Sequence, residues 1–198
     1  MRSSNSAPLI VGIGGGANAI SSTERALRVA LAGAETAGAQ TLLFGGAYLA
    51  ALPIYLTPGC DSAAKDMIQA VRQADGLIIG SPGYHGSVSG LVKNALDYLE
   101  AMAGDPRPYL DGVPVGLIAT ASGWQATGGV LATLRTVVHA LRGWPTPFGA
   151  ALSVTPATFA GDTCADPQIA AQLCLVGRQV AEQAALKRRA LPHVLDLA

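Results

Sequence analysis

The sequence predicts an α/β fold in which helices cover both faces of a parallel sheet. Strand-like and helix-like segments alternate along the chain, which is the pattern of parallel α/β proteins. The strand segments are apolar at consecutive residues, as strands covered on both faces must be. With 198 residues, 50% of them hydrophobic, the chain suits one domain with a substantial core. We therefore expect a single domain over residues 1–198, with a flexible N-terminus at residues 1–7.

The first strand and helix have clear boundary signals. Residues 9–13 are an apolar run that ends at Gly14-Gly15-Gly16, which predicts a buried strand leading into a loop. Ser21 and Glu24 then have the spacing of a capping box, which predicts the start of a helix. Gly38 predicts the end of that helix.

The middle of the chain predicts two further units. Residues 41–44 are the second predicted strand, residues 45–59 are a loop rich in Gly and Pro, and Asp61 is the predicted cap of the second helix. Residues 75–80 predict the third strand and residues 81–87 the loop after it. The third helix has an apolar stripe at Leu91, Ala95, Leu99 and Met102.

The last third of the chain continues the alternation. Residues 113–119 predict the fourth strand, and a loop follows at residues 122–124. Residues 148–154 predict a fifth strand, and residues 155–198 predict a loop followed by the C-terminal helix. We expect Trp144 to pack in the core. The fourth helix has its apolar stripe at Leu131, Leu134, Val138 and Leu141.

Composition and charge argue against several kinds of partner. Basic and acidic residues number 13 each, and without a basic cluster the chain fits neither nucleic-acid binding nor a polybasic membrane anchor. We expect no transmembrane helix and no signal peptide, because the required apolar segments are lacking. Cys60, Cys164 and Cys174 are odd in number and scattered, which indicates a reduced, cytoplasmic compartment. Charged residues make up only 13%, which indicates either surface buried in an oligomer or a composition biased toward Ala and Gly.

The candidate site lies in the loops after strands one, three and four, because open α/β sheets bind ligands at the carboxyl ends of their strands. Residues 14–23 offer backbone N–H groups and hydroxyls to a phosphate, although a tight turn before a capped helix explains them equally well. They form neither a G-x-G-x-x-G dinucleotide motif nor a P-loop. In residues 81–87, two glycines and a proline fix the backbone where a flat heterocycle could bind, flanked by Tyr84. Lys93 and Asp97 have the spacing of a surface ion pair.

The segment after the third strand is the most specific part of the sequence. It reads Ser81-Pro82-x-Tyr84-x-x-Ser87-x-x-Gly90-x-x-Lys93-Asn94-x-x-Asp97 and resembles the signature of the NADPH-dependent FMN reductase family. Upstream, Leu52-Pro53-Ile54-Tyr55 resembles the family's Leu-Pro-x-Tyr segment. The resemblance implies a flavodoxin-like three-layer sandwich with a five-stranded parallel sheet in the order 2-1-3-4-5. It also implies FMN and NADPH (or NADH) as cofactors and a homodimer or homotetramer.

The resemblance assigns the FMN phosphate to the first loop, at Gly16, Asn18, Ser21, Ser22 and Thr23. Ser21 and Thr23 match the family pattern, whereas Gly16 stands where the family has Ser and Asn18 where it has Arg. An Arg–phosphate pair is strong and often bidentate, while Asn offers one neutral donor. We therefore expect FMN to be held less tightly than in a standard member. The flavin is then either a dissociable substrate, or the site has drifted from the usual use of FMN.

The resemblance assigns the flavin ring to the loops after the third and fourth strands. We interpret His85 as a solvent-facing side chain rather than a proton donor. Lys93, Asn94 and Asp97 are interpreted as architectural residues that fix the nearby loop or contribute to a dimer interface. Trp124 either stacks over the ring or nicotinamide, or lies in a subunit interface. Arg107 and Arg135 are expected near the active-site edge. The residues assigned to the ring are Pro82, Gly83, Tyr84, His85, Gly86, Ser87, Ser122 and Gly123.

The function that the resemblance implies is an NAD(P)H-dependent FMN reductase, with hydride transfer from the nicotinamide to FMN. This chemistry requires no acid or base from the protein, so no catalytic residue is predicted. The isolated histidines predict no metal site. Reduced flavin could serve a partner monooxygenase. The alternatives are a quinone or azo reductase with tightly bound FMN, a non-catalytic flavodoxin-like binding protein and, less in keeping with a neutral chain, an electron carrier.

Overall fold

The computed structural model describes residues 6–18, 20–58 and 60–194, so residues 1–5 of the predicted flexible N-terminus lie outside the described residues. No helix in the described part of the chain is long and apolar enough to cross a membrane. The strands are β1 (Leu9–Gly14), β2 (Gln40–Phe44), β3 (Gly76–Tyr84), β4 (Ser87–Val88), β5 (Pro114–Ala121), β6 (Trp144–Pro145), β7 (Ala150–Ser153), β8 (Phe159–Ala160) and β9 (Thr163–Cys164). The helices are α1 (Ser22–Thr36), α2 (Gly46–Ala50), α3 (Lys65–Gln73), α4 (Gly90–Asp97), α5 (Trp124–Ala140) and α6 (Pro167–Val194), with short 3₁₀ helices at Cys60–Ser62 and Tyr98–Met102.

The main sheet confirms the predicted parallel order. β2, β1, β3 and β5 are neighbours in that order, and β6 and β7 both pair in parallel with β5. The sheet has seven strands rather than five, because β4 pairs antiparallel with β3 and the edge strand is split into β6 and β7. The split follows from Pro145 and Pro147, which have no N–H to donate to a continuous ladder.

Each face of the sheet has its own core. Along β1, Val11 and Ile13 join the cluster formed with α3, α4 and α5, whereas Ile10 joins the cluster formed with α1 and α6. Helices α1 and α6 approach to backbone contact, since a Cβ added to Gly177 would lie 1.8 Å from the Ala30 carbonyl oxygen. Because β1, β3 and β5 are parallel neighbours, the loops at their carboxyl ends meet at one edge of the sheet.

Two predictions about local structure were wrong. Helix α3 begins at Lys65 with Ala64 rather than residue 61 in the cap position, and a 3₁₀ helix occupies residues 60–62. Trp144 is 66% exposed because it lies on the short edge strand β6 rather than under a helix. In addition, the predicted loop at residues 45–59 contains the short helix α2.

Arg107 lies at the edge of the sheet opposite to the one predicted. Its guanidinium donates hydrogen bonds to the carbonyl oxygens of Val71 at 2.7 Å and Ala74 at 2.8 Å, at the C-terminus of α3. Since α3 leads directly into the start of β3, this is the amino edge of the sheet. Burial lowers the pKa of Arg107, with nearby Asp carboxylates opposing the shift. Arg107 therefore stabilises a helix end and is not available to a ligand at the carboxyl edge.

Candidate functional site

An open cleft lies at the carboxyl edge of the sheet, between the loops that follow β1, β3 and β5. Its volume is about 230 Å³. The start of α1 forms one side, the end of β3 the other, and the end of β5 the floor. The residues that line it are Gly16, Asn18, Ile20, Ser21, Ser22, Thr23, Pro82, Gly83, Tyr84, Thr120, Ala121, Ser122 and Val154.

Close backbone packing requires glycine at Gly14, the last residue of β1, at Gly15 and at Gly46. Gly14 has φ of 146°, and a Cβ there would lie 1.9 Å from the Gly80 carbonyl oxygen. A Cβ on Gly15, whose φ is 125°, would lie 2.8 Å from the backbone N of Gly46. Gly16 in turn places its carbonyl oxygen where a Cβ on Gly46 would be, at 1.9 Å. The loop therefore runs in direct contact with β3 and with the start of α2.

The hydroxyl of Ser21 organises the end of this loop. Its Oγ accepts hydrogen bonds from the backbone N–H groups of Gly16 at 2.8 Å and Glu24 at 3.2 Å. Both acceptor positions of the hydroxyl are then occupied, so its proton is left to donate. Asn18 is arranged in a similar way, because its Oδ1 accepts from Ile20 N at 3.1 Å and its amide NH₂ remains as the donor.

The start of α1 adds backbone donors to these side chains. Ser22 and Thr23 are the first two residues of α1, and N–H groups in the first turn of a helix have no partner one turn earlier. The partial positive charge of the helix N-terminus lies at the same place. Together, the donors at this end of the cleft suit an anion such as a phosphate.

A buried pair of hydroxyls connects this helix to the floor of the cleft. Thr23 Oγ1 and Thr120 Oγ1 are 2.6 Å apart, and both residues are 2% exposed. One hydroxyl donates to the other, so the pair retains one proton for a further acceptor. The contact joins α1 to the end of β5 across 97 positions of the chain.

The segment after the third strand is a β-hairpin, so its prediction as a loop was wrong. β3 continues to Tyr84, which pairs with Ser87 of β4. His85 and Gly86 form the two-residue turn with φ of 51° and 84°, and positive φ at both positions is what a type I′ turn requires. The hairpin rests on α5, because a Cβ on Gly83 would lie 2.9 Å from Val130 Cγ2.

The hairpin is held closed by buried serines, and the loop before α3 is held by Asn94. Ser81 is fully buried, and its Oγ accepts from Ser89 N at 3.0 Å. Asn94 donates to the Pro53 carbonyl oxygen and accepts from Tyr55 N, both at 2.8 Å, so it fixes the Leu-Pro-x-Tyr segment. Lys93 and Asp97 form an exposed ion pair at 2.5 Å.

The cleft brings together most of the predicted site residues. His85 and Gly86 form the hairpin turn, Ser87 begins β4 and Gly123 caps α5, and none of these four lines the cleft. Trp124 begins α5 with 70% of its surface exposed and does not line the cleft either. Sequence reasoning missed Ile20, Thr120 and Val154 as lining residues. The assignment of the predicted residues to a cofactor remains a prediction.

Ionisable side chains are scarce among the described residues that line the cleft. Among the described residues that line the cleft, Tyr84 is the only one with an ionisable side chain, and it is 58% exposed. No Arg, Lys, His, Asp or Glu lines the cleft, and the described residues contain no cluster of potential metal ligands. The arrangement can therefore bind and orient a ligand, but it offers no side chain poised to act as an acid or base.

The strand order and the cleft at the carboxyl edge define a flavodoxin-like protein, as predicted. Among solved structures, the flavoenzyme NAD(P)H:(acceptor) oxidoreductase FerB from Paracoccus denitrificans gives a TM-score of 0.72 at 17% identity, covering 89% of this chain and 97% of that chain. The flavodoxin, WrbA-like protein from Agrobacterium tumefaciens gives 0.64 at 18% identity, covering 91% and 99%. At these identities the likeness establishes the fold alone.

The chain belongs to the NADPH-dependent FMN reductase family, whose model matches residues 8–157. Similar curated proteins include the FMN-dependent NADPH-azoreductase of Staphylococcus aureus (strain USA300), at 40% identity over 94 residues, and that of Staphylococcus haemolyticus (strain JCSC1435), at 39% over 94 residues. Each alignment covers 46% of this chain and 46% of the relative, so the chain spans about half the length of the curated relatives it matches. The family predicted from the sequence is confirmed.

Proposed function

We propose that this chain binds FMN in the cleft and catalyses its reduction by NADPH (or NADH). The observation that carries the proposal is the division of the cleft into two unlike ends. Hydroxyls and N–H groups converge at the start of α1, whereas β3 and β5 present backbone and the aromatic side chain of Tyr84. A flavin mononucleotide has the matching parts, a phosphate at one end and a flat ring at the other.

The residues of the first loop would hold the phosphate through neutral donors. These are the Ser21 hydroxyl proton, the Asn18 amide, the Ser22 hydroxyl and the N–H groups of Ser22 and Thr23. Pro82, Gly83 and Tyr84 on one side and Ala121 and Ser122 on the other would lie along the ring.

The protein would contribute binding and orientation rather than proton transfer. When bound, FMN supplies the redox chemistry by accepting a hydride from the nicotinamide. Because Tyr84 is the only ionisable lining residue, we assign no catalytic acid or base. We therefore expect NADPH oxidation to vary little between about pH 6 and 8, because no essential acid or base is assigned.

Asn18 favours FMN as a dissociable substrate, whose reduced form passes to a partner such as a flavin-dependent monooxygenase. A second candidate is an azo or quinone reductase with resident FMN. The names of the curated relatives favour it, since they are FMN-dependent NADPH-azoreductases. The non-catalytic binding protein is the third alternative, and it predicts no NADPH oxidation with any flavin.

We also propose a homo-oligomer, a dimer or tetramer, built from one domain and located in the cytoplasm. The segment fixed by Asn94 exposes 72% of Ile54 and 78% of Leu56, and charged residues are scarce in the chain. Apolar surface held rigidly in solvent favours burial against another copy.

The test is the visible spectrum of the purified protein, before and after gel filtration, followed by NADPH oxidation with added flavin. A colourless protein that oxidises NADPH only with free FMN supports the dissociable-substrate form of the proposal. A protein that stays yellow through the column supports the resident-cofactor form. The absence of turnover with FMN, FAD and riboflavin would refute the reductase function and leave the binding protein.

A further inference from the structure

Glu24 makes contacts that its place in a capping box does not require. In a capping box, the Glu side chain reaches back to the N–H of the cap residue, here Ser21. In this structure Glu24 Oε2 instead accepts a hydrogen bond from the backbone N–H of Gly46 at 2.8 Å. Its Oε1 accepts one from the Arg28 guanidinium at 2.6 Å. Both carboxylate oxygens are thus directed away from the cap and toward the start of α2 and one turn along α1.

The contact with Gly46 lies where two chain segments touch without side chains between them. A Cβ on Gly46 would lie 1.9 Å from the Gly16 carbonyl oxygen, and a Cβ on Gly45 would lie 2.6 Å from Glu24 Oε2. A Cβ on Gly15 would lie 3.4 Å from Glu24 Cβ and 2.8 Å from Gly46 N. Glu24 therefore holds residues 45–46 against residues 15–16 at backbone contact.

This packing continues into the cleft. Gly16 lines the cleft, and its N–H donates to the same Ser21 Oγ whose proton is left for a ligand. A shift of Gly46 would move Gly16 and with it the direction of the Ser21 hydroxyl. The path from Glu24 to the anion-binding end thus runs through Gly46, Gly16 and Ser21. Hydrogen bonds of 2.8 Å join Glu24 to Gly46 and Gly16 to Ser21, and Gly46 packs so close to the Gly16 carbonyl oxygen that only glycine fits there.

We propose that Glu24 is a positioning residue for the phosphate end of the flavin site, an inference that rests on the proposed function. The charge of Glu24 by itself works against an anion nearby. The ion pair with Arg28 offsets that charge, with Glu24 23% and Arg28 52% exposed. The contribution of Glu24 to phosphate binding is therefore geometric, and it acts through the hydrogen bond to Gly46.

The experiment measures the dissociation constants of FMN and riboflavin by flavin fluorescence titration in four proteins: wild type, Glu24→Ala, Glu24→Gln and Glu182→Ala. Riboflavin has the same ring without the phosphate, so the ratio of the two constants isolates the phosphate end. Glutamine keeps an acceptor for Gly46 N–H while losing the ion pair. Glu182→Ala is the matched control, because Glu182 pairs with Arg178 at the same helical spacing and both side chains are exposed. Thermal unfolding of each variant establishes that it is folded.

We expect Glu24→Ala to weaken FMN binding by about fivefold or more while riboflavin changes less than twofold, which corresponds to loss of about one hydrogen bond. Glu24→Gln and the control should stay within about twofold of wild type. Three results would each overturn the inference. Glu24→Ala could lose affinity equally for FMN and riboflavin, or it could bind FMN as tightly as the wild type or more tightly. Glu24→Gln could bind FMN as weakly as Glu24→Ala does. If Glu24→Ala does not fold, the deciding experiment measures how well inorganic phosphate competes with FMN for binding to Glu24→Gln. An inhibition constant of phosphate equal to that of the wild type supports the inference, and weaker inhibition by phosphate overturns it. Failure of wild type to bind any flavin refutes the proposed function instead.

Discussion

Replacing Asn18 by Arg tests whether the phosphate of FMN lies at the start of α1. Asn18 is exposed at the rim of the cleft and stands where the family has Arg. The new guanidinium could form a charge-assisted, bidentate contact with a phosphate in place of one neutral amide donor. Riboflavin, which lacks the phosphate, provides the control ligand, and Asn18→Gln provides a neutral control of similar length.

The expected gain is moderate because of where the side chain lies. Hydrogen bonds to charged groups contribute about 1.5–3 kcal/mol when shielded, and exposed ion pairs contribute about 0.2–1 kcal/mol. Asn18 is at the solvent-facing rim, and the variant also loses the 3.1 Å bond to Ile20 N. A net gain of about 1 kcal/mol follows, or about a fivefold tighter Kd for FMN.

The assay is a flavin fluorescence titration at low and high ionic strength. We expect tighter binding of FMN alone, with a gain that shrinks as salt screens the added charge. A variant that binds riboflavin more tightly to the same extent, or that gains affinity independently of salt, would refute the placement of the phosphate. Retention of FMN through gel filtration by the variant alone would further link residue 18 to the release of flavin by the wild type.

Three further predictions concern the framework of the site and the stability of the fold. Thr120→Val leaves the buried Thr23 hydroxyl without its partner and should lower the free energy of unfolding, measured in urea, by about 1–3 kcal/mol. The double variant Thr23→Val/Thr120→Val should lose less stability than the sum of the losses in Thr23→Val and Thr120→Val. Gly14→Ala should lower the free energy of unfolding by at least about 3 kcal/mol or prevent folding, because the new Cβ would meet the β3 backbone. Gly128 lies inside α5 with open space around it, so Gly128→Ala should stabilise the helix by up to about 1 kcal/mol and raise Tm. Burial lowers the pKa of Lys187 below its ordinary value of 10.5. The unfolded state therefore binds more protons than the folded state, and the free energy of unfolding should rise as the pH approaches 10.5. Urea unfolding measured as a function of pH should show that rise in the wild type and not in Lys187→Met.

The sequence predicted the sheet well because its signal is continuous apolar character. All residues of β1 and β5 are buried, so both strands stand out in any local reading of the sequence. The end of β3 was misread because Ser, Pro and Gly favour loops. Pro82 is tolerated in this strand because β1 pairs with β3 only as far as Gly80, so that β3 has an open side at Pro82 while it still pairs with β5.

The site was only partly predictable for a related reason. The site residues after strand one form one contiguous stretch of sequence, and those at the end of strand three form another. The Gly, Ser and Pro residues clustered in each stretch indicate a loop that could bind a ligand. Thr120 is a strand residue in a buried run, and only its contact with Thr23, 97 positions away, makes it part of the site. Val154 reaches the cleft from the end of the broken edge strand, and no local pattern connects it with the other loops.

The glycines and the hydroxyls of the first loop therefore support different conclusions. Gly14 and Gly15 are explained by contact with β3 and with the start of α2, so glycine at these two positions would be needed even without a ligand. The hydroxyl of Ser21 is not explained in the same way, because two N–H groups occupy its acceptor positions and its proton still requires an acceptor. The case for an anion at the start of α1 consequently rests on the hydrogen-bond donors that the fold itself does not use, and those donors are all neutral. Under the proposed function, such a site would hold the phosphate by geometry rather than by net charge. Its affinity should therefore respond both to Glu24, the proposed positioning residue, and to a cation introduced at residue 18.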